Sequence, residues 1–181
     1  MTDIPKALVS SVSQEWMTPG WILEKARLTL DGIDLDPAST PEANKEVRAA
    51  SIFTISDDGL SQPWHGKVWC NPPYGKIGGK SSQGLWAQKM IREHMACRVE
   101  GGLLLTTART ADLWFRALWD YSVCLCFFYR RIAFVGPSGA QQKSPSQAHV
   151  LALFSRDDDV MGRFKHEFGP RGKVWCYRDD S

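Results

Sequence analysis

Apolar residues first recur at helical spacing after position 20. Trp21, Ile22, Leu23, Ala26 and Leu28 share one face. Thr18-Pro19 precedes them, a residue suited to the N-cap followed by one suited to the first helical position, and Gly32 stops the run. Ile33-Asp34-Leu35-Asp36-Pro37-Ala38 alternates apolar and acidic positions, the pattern of a short strand ending in carboxylates. Ser39 or Thr40 can cap a helix over 41–50, and Ser51 to Ile55 makes a strand that runs into Ser56-Asp57-Asp58-Gly59-Leu60. Lys67-Val68-Trp69-Cys70 is a third strand, followed by a glycine-rich loop from Gly75 to Gly84. A helix over 84–99 carries Trp86, Met90, Ile91 and Met95 on one side, and Gly101-Gly102 ends it. Then come a buried-type strand from Leu103 to Thr107, a helix over 111–121 and an aromatic strand over 123–129 that extends to 134. A loop over 136–146, a strand over 148–154, a solvated turn at Arg156-Asp157-Asp158-Asp159 and a last strand over 174–177 complete the chain.

Strands and helices alternate, and strands then crowd together near the C-terminus. The pattern predicts an α/β fold: a doubly wound, mainly parallel sheet with an antiparallel edge hairpin. Residues 1–14 are polar and aperiodic and are expected to be a flexible N-terminus; 15–181 is expected to be a single domain, with no segment long enough for a separate target-recognition domain. Gly-Lys-Val-Trp-Cys occurs at 66–70 and again at 172–176, which reads as coincidence between two strands.

Composition changes this picture little, but charge changes it more. A hydrophobic content of 43% over 181 residues is ordinary for a globular chain, and a net charge of +2 by itself implies no polyanion. The distribution is uneven. Glu24 to Asp58 holds eight acidic and four basic residues; Gly59 to Arg92 holds five basic residues and no acid; Tyr121 to Ser155 holds Arg130, Arg131 and Lys143 and no acid. Such segregation fits a polyanion approaching one face, although lysines that merely solvate loops would look similar. No apolar run is long enough to span a membrane and no signal peptide opens the chain, so a cytoplasmic location is expected. The five cysteines are odd in number and form no Cys-x-x-Cys pair, so free thiols are expected, with neither disulfides nor zinc. His65, His94, His149 and His166 are scattered and suggest no metal site and no catalytic triad.

The candidate chemistry lies in Asn71-Pro72-Pro73-Tyr74, at the end of the third strand. The Asn71 carboxamide oxygen and the Pro72 carbonyl, held by two fixed φ angles, can accept both hydrogens of a planar amine. Tyr74 can stack on the ring that carries the amine. Two acceptors draw the amine towards tetrahedral geometry and make its lone pair nucleophilic, so positioning and polarisation supply most of the catalysis. A proline turn with a structural tyrosine is the plainer alternative. Gly78-Gly79-Lys80-Ser81 resembles the end of a phosphate-binding loop, but residue 74 is tyrosine where that loop needs its first glycine. The loop reads better as a flap over a base, with Lys76 and Lys80 near phosphates. The acidic strand ends can accept from ribose hydroxyls, an ammonium group or an adenine amine, or can serve only as caps and turns.

These segments resemble the phage-type, Dam-like DNA N6-adenine methyltransferases. The matching pieces are Thr18-Pro19, Asp34 to Ala38, Asp57 to Trp64, Trp69 to Gly75, Ala108 to Phe115, Arg131 to Phe134, Lys143 to Pro145 and Val150 to Phe154. The resemblance implies a Rossmann-like, S-adenosylmethionine (SAM)-dependent methyltransferase fold. It also implies transfer of a methyl group to N6 of a flipped-out adenine in double-stranded DNA, without a metal. Asn71, Pro72, Pro73 and Tyr74 match the adenine-holding motif. Asp57 or Asp58 matches the acid that binds the SAM adenine, and Asp34, Asp36 and Pro37 match a SAM-binding strand end on either the methionine or the ribose side. Thr18 and Pro19 are expected to serve the methionine end. Lys76, Lys80, Arg109, Arg130, Arg131 and Lys143 are expected near DNA phosphates. The alternatives are another planar amine (RNA adenine, cytosine N4, a protein glutamine) or an inactive nucleic-acid-binding module.

Overall fold

The computed structural model describes residues 16–136 and 138–177, so the expectation of a flexible segment over 1–14 lies outside the described residues. Helix α1 (Gly20–Leu30) buries Ile22, Leu23, Ala26, Thr29 and Leu30; contrary to expectation Pro19, not Thr18, stands at the N-cap and no side chain caps the helix, the Thr18 hydroxyl being engaged elsewhere. Strand β1 (Leu35–Asp36) leads to α2 (Pro41–Val47), capped by Thr40, whose Oγ1 accepts from the Ala43 amide at 3.1 Å. Strands β2 (Ser51–Ile52) and β3 (Gly66–Cys70) follow. The glycine-rich loop is a small hairpin of β4 (Lys76–Ile77) and β5 (Lys80–Ser81). Gly78 and Gly79 turn it with φ of 55° and 79°, the pair of left-handed residues that a tight two-residue hairpin turn requires. Ser81 then caps α3 (Ser82–Met95). After β6 (Val99–Thr107), a 3-10 turn at Leu113–Phe115 enters α4 (Arg116–Tyr121). Strands β7 (Cys124–Phe128) and β8 (His149–Ser155), helix α5 (Asp158–Phe168) and strand β9 (Gly172–Cys176) complete the described chain.

The seven-stranded sheet has the order β2-β1-β3-β6-β8-β7-β9. Pairs β1/β2, β1/β3 and β3/β6 are parallel, whereas β8 is antiparallel to both neighbours and β9 is antiparallel to β7. Strand β7 therefore points the same way as β6. This is a mixed α/β, Rossmann-like fold with an antiparallel hairpin at one edge. Alternation along the strands divides the core between the two faces of the sheet. Trp69, Leu103, Leu105, Leu151 and Leu153 pack with Ile22 of α1 and with Phe164 and Phe168 of α5. Val68, Cys70, Leu104, Val150 and Ala152 pack with Trp86 and Met90 of α3 and with Phe115 and Leu118. Each such large side chain, fully buried, contributes about 1.5–3 kcal/mol relative to exposure.

Several local expectations give way. Gly101 and Gly102 do not end a helix; they lie inside β6, where a Cβ on Gly102 would sit 2.6 Å from the Met90 Sδ and one on Gly101 3.1 Å from Leu30. The glycines let helices press on both faces of the strand. The run Arg156 to Asp159 is solvated but is not a mere turn, because it opens a helix. Asp157 accepts from the Asp159 amide and caps α5, whose Val160, Phe164 and Phe168 recur at helical spacing on the buried side. Cys124 and Cys176 are not free thiols. They face each other in the register of β7 and β9, with Cα atoms 4.1 Å apart, and form a disulfide. Cys70, Cys97 and Cys126 stay free. Both copies of Gly-Lys-Val-Trp-Cys are strands, β3 and β9.

Candidate active site

From β1 the chain steps outward to β2 and then crosses back to β3 on the other side of β1. This reversal opens a crevice beyond the carboxyl ends of β1 and β3, the place where doubly wound sheets bind ligands. Asp36-Pro37-Ala38 leaves β1 there and Asn71 to Tyr74 leaves β3. Asp36 is buried, and its Oδ1 accepts from the Ala38 amide at 3.1 Å, folding the backbone back at the strand end. Burial pushes its carboxyl up to about 6, against the Ala38 and Ser39 hydrogen bonds that favour the charged form. Gly59 holds the second acidic turn beside the first: a Cβ on it would lie 2.0 Å from the Pro37 carbonyl oxygen.

Asn71 is the centre of the site. Its Nδ2 donates to Thr18 Oγ1 at 3.1 Å, across 53 residues of sequence. Its Oδ1 is buried and has no partner. Thr18, itself buried, thus holds the Nδ2 end of the amide, and the other end is a buried acceptor with nothing to accept. Among the described residues no backbone amide donates to the Pro72 carbonyl either. Cys70 immediately precedes the motif, but burial and the neighbouring Asp36 push its thiol well above the ordinary value, so it is no nucleophile.

A model of the family "DNA N-6-adenine-methyltransferase (Dam)" matches residues 6–168, which include Thr18, the motif at 71–74 and the strand pair β7/β8. The chain belongs to that family. No curated protein matches it. The Dam family acts on adenine in DNA, so the unpaired acceptor sits in a methyltransferase whose target carries an exocyclic amine.

The other sequence-predicted residues of this Dam-family chain separate into groups. Asp34 turns inward: its Oδ2 accepts from the Lys67 amide at 2.7 Å, at the amino end of β3, so its carboxylate joins two strands away from Asn71. Asp57 is occupied by its own turn, accepting from the amide and hydroxyl of Thr54 at 2.7 and 2.6 Å, and these bonds hold its carboxyl low. Asp58 is exposed, with φ 51°, and its carboxylate has no hydrogen-bond partner among the described residues. Pro19 is buried at the mouth of α1 and Pro73 is exposed.

The basic residues emerge from the same edge of the sheet. Lys76 and Lys80 lie on the hairpin after β3, Arg109 follows β6, Arg130 and Arg131 follow β7, and Lys143 precedes the reversed strand β8. All six are exposed. Arg109 pairs with Asp112 at 2.9 Å, and Arg131 Nη1 donates to the Pro145 carbonyl at 3.2 Å, tying the two ends of the β7–β8 connection together. A separate cavity lined by Leu30, Asp31, Lys67, Glu100, Ser155 and Arg163 opens at the opposite edge and plays no part in this arrangement.

One site residue escaped the sequence. His149 begins β8 opposite Thr107 of β6, is 5% exposed, and places Nε2 2.9 Å from the Tyr74 hydroxyl. Burial pushes its pKa down to about 4, only partly opposed by the Gln147 backbone, so the ring is neutral at ordinary pH. The sole available signal was a lone histidine opening an apolar run.

Proposed function

We propose that this Dam-family chain transfers a methyl group from SAM to N6 of an adenine flipped out of duplex DNA. The observation that carries the proposal is the buried, unpartnered Asn71 Oδ1, whose place is set by the bond from Nδ2 to Thr18. A buried acceptor left unpaired costs about 1–3 kcal/mol, which a ligand N–H would recover. Asn71 Oδ1 and the Pro72 carbonyl accept the two N6 hydrogens, and Tyr74 stacks on the ring. With both hydrogens held out of the ring plane, the nitrogen lone pair turns towards the methyl donor. The Pro72-Pro73 pair keeps the second acceptor in place, since both φ angles are fixed.

The residues at the crevice fit SAM. Asp36 is a buried carboxylate that gains from a nearby cation, as its raised pKa reflects, and the ammonium or sulfonium of SAM carries that charge. Asp58 offers a free carboxylate to the ribose or the adenine amine, with Pro37 and Pro19 as apolar walls. When bound, SAM supplies an already activated methyl group, so the protein needs no strong base early in the reaction. Lys76, Lys80, Arg109, Arg130, Arg131 and Lys143 hold the phosphates that flank the flipped nucleotide.

The test is transfer of label from tritiated SAM to unmethylated duplex DNA, RNA and protein in parallel, with the product nucleoside identified. Label in N6-methyladenine from DNA is expected. Asn71→Ala should abolish it with SAM affinity retained. Undiminished turnover in Asn71→Ala would sink the base-holding role, and label confined to RNA or protein would sink the substrate.

A further inference from the structure

Tyr74 is half exposed, yet its hydroxyl is held. His149 Nε2 lies 2.9 Å away, and the two rings sit 6.2 Å apart between centroids, inclined at 33°. The imidazole is braced in turn by Phe134, 5.1 Å away between centroids, and its backbone is paired with Thr107 of the neighbouring strand β6. Tyr74 itself has little else to hold it. Two prolines precede it and Gly75, with φ 100°, follows it into the exposed hairpin. Among the described residues, His149 is the only hydrogen-bond partner of its side chain.

We propose that His149 is a positioning residue for methyl transfer: by holding the Tyr74 hydroxyl it fixes the plane of the ring on which the flipped adenine stacks. This rests on the base-holding function proposed above. A flipped base gives up its stacking in the duplex and must regain it at once. A tyrosine already set in its stacking plane loses little freedom when the base arrives, whereas a swinging ring must be ordered in every turnover. A neutral imidazole suits the task, because the Tyr74 hydroxyl can donate to an unprotonated Nε2 and the rigid strand β8 sets where that nitrogen stands.

The experiment is a double-substitution cycle on the full chain with tritiated SAM and unmethylated plasmid DNA. It uses His149→Leu, Tyr74→Phe, the double variant and His149→Gln, whose side-chain amide can reach the Nε2 position. One lost hydrogen bond of this kind lowers kcat/KM for DNA by about five- to tenfold. Both single variants should show this loss, the double variant should lose no more than either alone, and His149→Gln should recover most of it, with SAM affinity unchanged throughout. A purely structural histidine would instead give a loss that multiplies with that of Tyr74→Phe, and multiplication would overturn the inference. If His149→Leu does not fold, Tyr74→Phe and His149→Gln decide: wild-type rates in Tyr74→Phe would overturn it as well. Asn71→Ala in the same assay separates the two levels, since an active Asn71→Ala refutes the base-holding function, whereas an inactive one beside a multiplicative cycle refutes only the role of His149.

Discussion

Replacing Thr18 by valine tests how the site is aimed. Valine keeps the shape of threonine and removes the hydroxyl that accepts from Asn71 Nδ2 at 3.1 Å. Two outcomes are open to the amide. It can keep its orientation with Nδ2 buried and unpaired, at a cost of about 1–3 kcal/mol. Or it can rotate by half a turn and present Nδ2 where Oδ1 had stood, so that a donor meets the donors of the adenine amine. Both penalise the state in which the amine is polarised. At about 1.4 kcal/mol per factor of ten in rate, turnover should fall by between about fivefold and about a hundredfold. The assay is the initial rate of tritium transfer to unmethylated plasmid at saturating SAM, with calorimetric SAM affinity measured beside it. Thr18→Ser keeps the hydroxyl and should stay close to the parent. Unchanged turnover in Thr18→Val would refute the orienting role. A loss explained wholly by weaker SAM binding would return Thr18 to the cofactor.

Three other substitutions read different parts of the site. Asp36 has its carboxyl raised from 3.8 to about 6 by burial, so its contribution to stability is present below pH 3.8 and lost as pH rises through about 6, a change of about 3 kcal/mol. Asp36→Asn should therefore raise the melting temperature of the ligand-free protein at pH 8 and flatten its fall between pH 4 and 6; a lower melting temperature at pH 8 would contradict the burial argument. Lys76→Ala and Lys80→Ala should each weaken DNA binding and reduce the slope of log affinity against log salt by about one, with SAM affinity unchanged; an unaltered slope would remove the hairpin from the DNA interface.

What the sequence displayed clearly was local. Thr18-Pro19, the strand over 67–70 and Asn71 to Tyr74 carry their own signals in neighbouring residues, and the structure places the first and last of them in contact. What it concealed depends on residues far apart in the chain. Asp34 and Asp36 look equivalent in an alternating strand, but Asp34 meets the Lys67 amide only once β1 and β3 lie side by side. His149 acquires its partner 75 residues away, because an antiparallel strand brings its first residue to the edge where parallel strands bring their last. The Cys124–Cys176 pair, 52 residues apart, follows from a strand register that cysteine spacing cannot reveal. Helix α5 was hidden for a different reason: its acidic N-terminal turn is as polar as a loop, and only the spacing of Val160, Phe164 and Phe168 distinguishes the two.

The reversed strand β8 also shapes how a chain of this kind can diversify. Between Phe128, the last residue of β7, and His149, the first of β8, the chain leaves and rejoins the sheet at the same edge. The connection begins and ends beside the site and is clamped at its base by Arg131 and Pro145; its first part is anchored, with Ile132 and Phe134 buried in the core and Val135 bridged to Met17. The largely exposed stretch 138–144 can lengthen, shorten or change composition while the strands that aim Asn71 and His149 keep their register. If that stretch reads DNA as proposed, sequence preference can drift without disturbing the chemistry.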